Sequence, residues 1–490
     1  MKVYLIFVRS EAPVSTPIMP LGILYVAAVF EKMGFQIRVF DNLYDQFSQA
    51  FSEIRKFKPD LIGVSFLTTE YQTTKNLIAQ LRQIRPQALY FAGGIHITNS
   101  EPTIINDLKL DFAIYGEAEQ TVANLCQKLA KKQKINKLPG VIWKNSSGQI
   151  TKNLPQALIN NLNTLPFPAR HLLPTKKYFL PPGAIRSFFA QGTLTLISSR
   201  GCPFNCSFCN SHTLFGRKTR RRTVNNVIQE IESCQSKFVF DSLYFLDDTF
   251  TLNQLWVDDF CRAIKPTKLK WGCQTRVDLV NKDLLRKMKE SGCVQVDFGI
   301  ESGSEKILKK MKKGISVKQI SQAFNLCREI GLRTYATAMI GYPGEKKNDL
   351  LKTFSLVKKI KPNFLDVTIA VPYPGTELYS LAEKNQWLEE NGIAFFDWDG
   401  SNTREPILRG DFSAKELLNF KNKLQKINFW RNYSVIVQPK NLHHSLKALW
   451  AGIKNPKNAL GTFTNFVRYK NFDTLVMYFL KSYQTSLLKQ

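Results

Sequence analysis

At 490 residues and 44 % apolar composition, the chain is too long for one ordinary domain and can bury two or three cores, which argues against long disordered spans. Its formal net charge of +29 points either to a phosphate-bearing or membrane-surface partner or to lysine-rich solvated faces. Nine cysteines, six of them single inside apolar segments, exclude a disulfide framework and fit a reducing compartment.

The opening MKVYLIFVRSEAP holds an apolar run too short for a signal segment and reads as a first β-strand. No run of about 18 apolar residues occurs, so no membrane-spanning helix is expected and the chain is placed in the cytoplasm. The first third then alternates strand and helix. KVYLIFV, FQIRVFD, DLIGVSFLTT, ALYFAGG and LDFAIYGE read as strands, and LGILYVAAVFEKMG has helical spacing with a stop at Gly34. Strands joined by helical crossovers predict a Rossmann-like, doubly wound parallel sheet. Its ligand loops lie at the carboxyl ends of the strands, at residues 9–22, 65–69, 93–98 and 116–120.

Residues 148–191 are rich in Pro, Asn and aromatics and read as a linker. From Thr193 a second alternation begins with TLTLISS, SLYFLDD, LKWGCQT, VQVDFGIES, RTYATAMIG and FLDVTIAVP as strands. Helices are expected near 224–237, 254–263, 282–290, 317–330 and 350–359. Six βα units are too few for a closed eight-unit barrel and predict an open, partial (β/α)6 barrel. After residue 388 short Lys-, Trp-, Phe- and Tyr-rich helical segments dominate. From Lys415 onward 13 Lys or Arg stand against two acids. The expected organisation is an α/β chain: a Rossmann-like domain over 1–147, a linker over 148–191, the partial barrel over 192–385, and a basic, aromatic-rich, mainly helical region over 386–490.

SSRGCPFNCSFCNSH carries Cys202, Cys206 and Cys209, spaced C-x3-C-x2-C, with His212 close behind. Three thiolates on one short loop suit a soft metal centre. Structural zinc with His212 as fourth ligand competes with a [4Fe–4S] cluster that leaves one iron open. Zinc ligands usually come as two pairs from separate knuckles. Here all candidates crowd one loop at the mouth of a barrel, where an open iron makes a reaction site.

With Phe208 before its last cysteine, this loop resembles that of the radical S-adenosylmethionine (SAM) superfamily. YFLDDTF, DFGIESGSEKILKKMKKG, MIGYPGE and VPYPGTELY follow in matching order, so the resemblance covers about 193–379. The first 145 residues, through PLGILYVAAVFEKMGFQIRVFD, GVSFLT, FAGGIHIT and YGEAEQT, resemble the cobalamin-binding domain of one branch. That branch includes the anaerobic Mg-protoporphyrin monomethyl ester cyclase and hopanoid and lipid methylases. The resemblance implies three cofactors: a [4Fe–4S] cluster on Cys202, Cys206 and Cys209, SAM, and cobalamin. It implies that Asp247 or Asp248 binds the SAM ammonium, the other serving as a helix N-cap. Glu301 would bind the ribose hydroxyls, Arg276 at the end of the third strand with Gln274 the SAM carboxylate, and Phe208 would lie beside the adenine. Gly341 and Gly344 would let backbone approach the adenine. Ser65, Gly93 and Gly94 would face the corrin. The cobalt-ligating D-x-H-x-x-G is absent from RSEAPVSTPIMPLG, as is common in this branch, which implies cobalamin bound without that lower histidine; His96 is the nearest other imidazole, a residue more often structural.

By this resemblance a reduced cluster cleaves SAM to a 5′-deoxyadenosyl radical. Two outcomes stay open: methyl transfer from cobalamin to an unactivated carbon, or a cobalamin-assisted cyclisation. A non-catalytic cobalamin or iron–sulfur sensor is the alternative outside catalysis. A tRNA methylthiotransferase is disfavoured, because only Cys126 precedes the linker and a second cluster needs three cysteines. Nucleic acid is not an expected partner. Expected partners are a small-molecule substrate of lipid-like character, an electron donor such as flavodoxin or ferredoxin, and an anionic inner-membrane surface touched by the C-terminal region.

Overall fold

The computed structural model describes residues 1–9, 18–43, 46–179, 185, 192–388, 408, 410–433, 446, 447 and 450. The first sheet is built from β1 (Lys2–Phe7), β2 (Gln36–Asp41), β3 (Leu61–Ser65), β4 (Leu89–Gly93), β5 (Phe112–Ile114), β6 (Val141–Lys144) and β7 (Ile150–Lys152). Their order is β2-β1-β3-β4-β5-β6-β7, the first five parallel and the last two added antiparallel. The middle residues of β1 and β3 are fully buried, as both faces of a helix-covered parallel sheet require. Strand order reverses between β1 and β3, so the crevice at their carboxyl ends is the ligand position of such a sheet. The hairpin of β6 and β7 carries the sheet to Lys152, past the expected boundary at residue 147. Its polar turn, NSSGQ, reads by composition as linker.

The second sheet is β8 (Thr193–Leu196), β11 (Ser242–Phe245), β12 (Lys270–Thr275), β13 (Cys293–Glu301), β14 (Arg333–Ile340) and β15 (Phe364–Ile369), with β9 (Ser199–Arg200) and β10 (Arg220–Arg221) forming a separate antiparallel pair. All six strands of the main sheet are parallel and lie side by side in chain order. No reversal occurs and β8 does not pair with β15, which is the topology of a βα barrel left open. Helices Val224–Gln235, Gln254–Ile264, Lys282–Glu290, Val317–Ile330 and Lys347–Ile360 form the crossovers. Phe245, Phe250, Phe260 and Trp271 seal one of them to the sheet, with ring centroids 4.7–6.2 Å apart.

The described part of the connecting segment is packed, not loose. Arg170 is 2 % exposed, ion-pairs with Glu230 at 2.7 Å and donates to the Thr195 carbonyl. Tyr178 donates to Asp41 of β2 at 2.7 Å, so the segment ties to both sheets. Beyond the barrel, helix Ala414–Tyr433 buries Leu417 and Leu424 against β15 and helix Lys347–Ile360. The remaining basic, aromatic-rich segments, most of the loop at 9–22 and residues 180–184 and 186–191 of the linker lie outside the described residues.

Candidate active site at the meeting of the two sheets

Strands β9 and β10 pair through Arg200 and Arg220, and the chain between them is the cysteine loop. Gly201 allows its first turn: φ is +89°, and a Cβ there would lie 2.5 Å from the Lys218 carbonyl oxygen. Cys202, Cys206 and Cys209 are partly exposed, whereas the six other cysteines are buried. Burial pushes the Cys206 thiol up against the pull of Lys313 and Arg276, and pushes Cys209 up to about 11. Among the described residues no three His, Cys, Asp or Glu side chains are grouped to hold a single metal ion. A four-iron cluster makes no such demand, since each cysteine holds its own iron. His212 turns to the Cys209 backbone.

Four barrel strands converge on this loop. From the end of β11, Asp248 accepts from the Ser211 hydroxyl, and the Thr249 hydroxyl stands 3.7 Å from the Cys202 sulfur. Burial pushes the Asp248 carboxyl up, the Ser211 hydroxyl pulls it down, and Asp247 adds to the rise. Asp247 itself is 1 % exposed and saturated: it accepts from the Ser198 N–H at 2.7 Å and from the Ser198 and Ser199 hydroxyls. It is therefore an anchor for the turn between β8 and β9. The helix-cap expectation is corrected, because Asn253 caps helix Gln254–Ile264 by accepting from the Trp256 N–H at 3.0 Å.

From the end of β12, the Arg276 guanidinium stacks 3.6 Å above the Phe204 ring of the cysteine loop. Asp278 accepts from two of its nitrogens at 2.9 and 3.0 Å, and Nη1 is buried without a partner. Gln274 reaches only the Leu246 carbonyl, at 3.5 Å.

From β13, Glu301 takes a positive φ of +56° where the register with β14 slips by one residue. A bulge re-aims a side chain, and the strained conformation persists because the surroundings hold it. Lys313 does the holding, with its Nζ 2.7 Å from the Glu301 carboxylate, both side chains being about one-tenth exposed or less. Burial pulls the Lys313 ammonium down, and the Glu301 carboxylate beside it outweighs this and raises it. The same nitrogen sits 5.8 Å above the Phe208 ring.

From β14, the Tyr342 hydroxyl lies 2.7 Å from the hydroxyl of Ser207, a residue between Cys206 and Cys209 in the loop. Gly341 and Gly344 both have φ of +77°, as their turn requires. The space a Cβ would take is filled by Leu417 at 3.0 Å and by Lys310. Glu345 braces the turn by accepting from the Gly341 N–H at 2.6 Å, and burial pushes its carboxyl up to about 8.

The first sheet meets the loop from the other side. Ser65 ends β3 and Gly93 ends β4. Gly94 has φ of +103°, and a Cβ there would lie 3.1 Å from the Ser65 hydroxyl. This small-residue cradle stands at the carboxyl edge, and helix Ile95–Thr98 next to it packs on helix Ser211–Phe215 of the cysteine loop. His96, in that same short helix, is turned into packing. It is 3 % exposed, with Nδ1 3.1 Å from the Thr68 hydroxyl and its ring 5.2 Å from both Phe66 and Tyr71. Burial lowers it to about 4. This placement favours packing over cobalt ligation.

Asp248, Arg276, Glu301, Phe208 and the three cysteines are thus brought together, while Asp247 and His96 are turned into structure. Lys313, Tyr342 and Phe204 escape sequence reasoning. Lys313 is one of four lysines in KKMKKG, and nothing local says which one turns inward.

A family model described as the radical SAM superfamily matches residues 196–357, and one described as the B12 binding domain matches residues 12–126. The chain belongs to the radical SAM superfamily, in the branch that joins a B12-binding domain to the radical SAM core. It is 30 % identical over 456 residues to an uncharacterized methyltransferase of Pyrococcus horikoshii, covering 91 % of this chain and 95 % of that one. It is 26 % identical over 410 residues to the cytidylyl-2-hydroxyethylphosphonate methyltransferase of Streptomyces wedmorensis, covering 73 % and 77 %. Among solved structures it is similar to the radical S-adenosylmethionine methyltransferase TsrM from Kitasatospora setae, with cobalamin and a [4Fe–4S] cluster bound. The TM-score is 0.66 at 17 % identity, over 79 % of each chain.

Proposed function

We propose that this radical SAM enzyme is a cobalamin-dependent methyltransferase acting on an unactivated carbon of a small molecule. The observation that carries the reading is the meeting of the cysteine loop with the small-residue edge of the first sheet. One face presents three accessible soft donors and the other a cradle lined by Ser65, Gly93 and Gly94. The donor set fits a [4Fe–4S] cluster on Cys202, Cys206 and Cys209, and the cradle fits cobalamin. When bound, these groups supply one-electron cleavage of SAM and methyl transfer.

The chain's own residues would position SAM. Asp248 offers a carboxylate to its ammonium. Arg276, with Nη1 free, and Lys313 offer cations to its carboxylate. Glu301, held by its bulge, offers acceptors to the ribose hydroxyls. Phe208 and Met339 give the same wall an apolar surface. Holding the reactants in one geometry and excluding water is the protein's share of the catalysis. Replacing Cys202, Cys206 or Cys209 by Ala is expected to abolish iron retention and leave cobalamin uptake unchanged. Loss of both together would contradict separate sites.

A finer reading is that the substrate is lipid-like and met at an anionic membrane surface. It is supported by the lysine and aromatic content after residue 386. Among the described residues no helix is long and apolar enough to cross a membrane. Flotation with anionic vesicles at low salt is expected to enrich the protein; no enrichment would end this reading.

A further inference from the structure

Four buried charges take no part in the site above. Glu117 and Glu119 open helix Ala118–Ala130, immediately after β5 at the carboxyl edge of the first sheet. Arg200 and Arg220 face each other across the β9–β10 pair. That pair is the stem of the cysteine loop: the chain leaves through Arg200, carries all three cysteines, and returns through Arg220.

The acids grip both arms of the stem. Glu117 accepts from Arg220 Nη1 at 2.7 Å and Nη2 at 2.9 Å, and from Arg200 Nη1 at 3.3 Å. Glu119 accepts from Arg200 Nη2 at 2.5 Å. All four side chains are 2–6 % exposed. Ile159 of the connecting segment closes the network, donating its N–H to Glu117 and accepting from Arg220 through its carbonyl. Tyr25, from the first helix, and Phe215, from the loop, flank the Arg200 guanidinium at 5.2 and 5.5 Å.

Two cations and two anions buried together add little net stability, because desolvation consumes most of the attraction. What they add is direction. A forked guanidinium satisfies a carboxylate in one orientation, and a slip of an ångström leaves charge buried and unpaired. An apolar contact of equal area would tolerate that slip. Such a network belongs where relative orientation matters more than adhesion.

We propose that Glu117 and Glu119 are positioning residues that lock the cysteine loop to the carboxyl edge of the first sheet and so set the separation of the two bound cofactors. The proposal rests on the cofactor reading above. Its test uses the full chain reconstituted with iron, sulfide and hydroxocobalamin, as wild type, as Glu119→Gln, and as the double variant Glu119→Met with Arg200→Met. The single variant leaves two buried guanidiniums to share the Glu117 carboxylate and is expected to melt lower. The double variant removes both charges and is expected to recover the melting temperature. It is not expected to recover the lock. The dipolar separation between the reduced cluster and cobalt(II) should broaden in both variants, and amide exchange over residues 201–219 should quicken about tenfold while helix Val224–Gln235 is unchanged. A double variant that regains the melting temperature, one sharp separation and wild-type exchange would overturn the proposal. A wild type lacking the paired spin signals would sink the cofactor reading alone, and loop exchange would still decide the lock.

Discussion

Asp247 and Asp248 are neighbours with opposite fates. Asp247 accepts three hydrogen bonds in a fully buried turn, whereas Asp248 keeps one hydroxyl partner beside the cysteine loop. Asp247→Asn is expected to cost roughly 1–3 kcal/mol of stability, because an amide cannot accept at both positions. Asp248→Asn is expected to leave the melting temperature in place and weaken SAM binding about tenfold or more, the loss of one charge-assisted bond. Thermal melts and equilibrium dialysis of both variants check the contrast; equal effects would refute it. His96 adds a pH dependence. Its folded value is lowered to about 4 from an ordinary 6.5, so the folded state binds its proton less readily than the unfolded chain. The stability this gives is complete above pH 6.5 and is lost as pH falls toward 4, on the order of 3 kcal/mol in all. Denaturant titrations of His96→Gln between pH 4 and 7 should show a shallower acid limb than wild type. The crowding of three cysteines on one loop was legible from spacing, although what they hold was read from context and resemblance. The fates of Asp247 and His96 were not legible, since burial and hydrogen-bond saturation depend on turns about 50 and 30 residues away in the chain.

At the scale of elements, the open barrel was legible because its strands are apolar runs whose residues pack against helices, and its helices carry helical spacing. Helices Lys282–Glu290 and Val317–Ile330 fall where that spacing puts them, with Asn281 and Ser316 as caps. The slip of β13 against β14 was not legible. VQVDFGIES reads as an unbroken strand, and only the pairing with β14 reveals that Glu301 is out of step. Gly299 makes room for this device: a Cβ there would lie 2.4 Å from the Glu301 carboxylate and 2.9 Å from Lys313 Nζ. Gly299→Ala is therefore expected to keep the fold, displace the carboxylate, and weaken SAM binding with little change in melting temperature. A variant that binds SAM as wild type does would remove Glu301 from the site.

At the scale of the molecule, buried charge joins parts that are distant in the chain. Glu230 ion-pairs with Arg170 of the connecting segment and with Arg222 behind the cysteine loop, and all three are 5 % exposed or less. Glu230→Gln strands two buried cations and is expected to cost roughly 3–5 kcal/mol, read as a lower unfolding midpoint. A change below about 1 kcal/mol would show that water already reaches the pair. Such couplings leave no trace in local pattern, which is why a Pro-, Asn- and aromatic-rich segment looks like a loose linker until Arg170 and Tyr178 are seen docked. The central claim is that this joined structure brings SAM-derived radical chemistry and methyl transfer to one place. The most direct measurement is anaerobic incubation of the reconstituted, reduced protein with SAM, quantifying 5′-deoxyadenosine and S-adenosylhomocysteine in the same sample. Both products are expected. 5′-Deoxyadenosine alone would contradict methyl transfer and favour the cyclase-type reaction; neither product, from protein with full iron and cobalt content, would contradict the account as a whole.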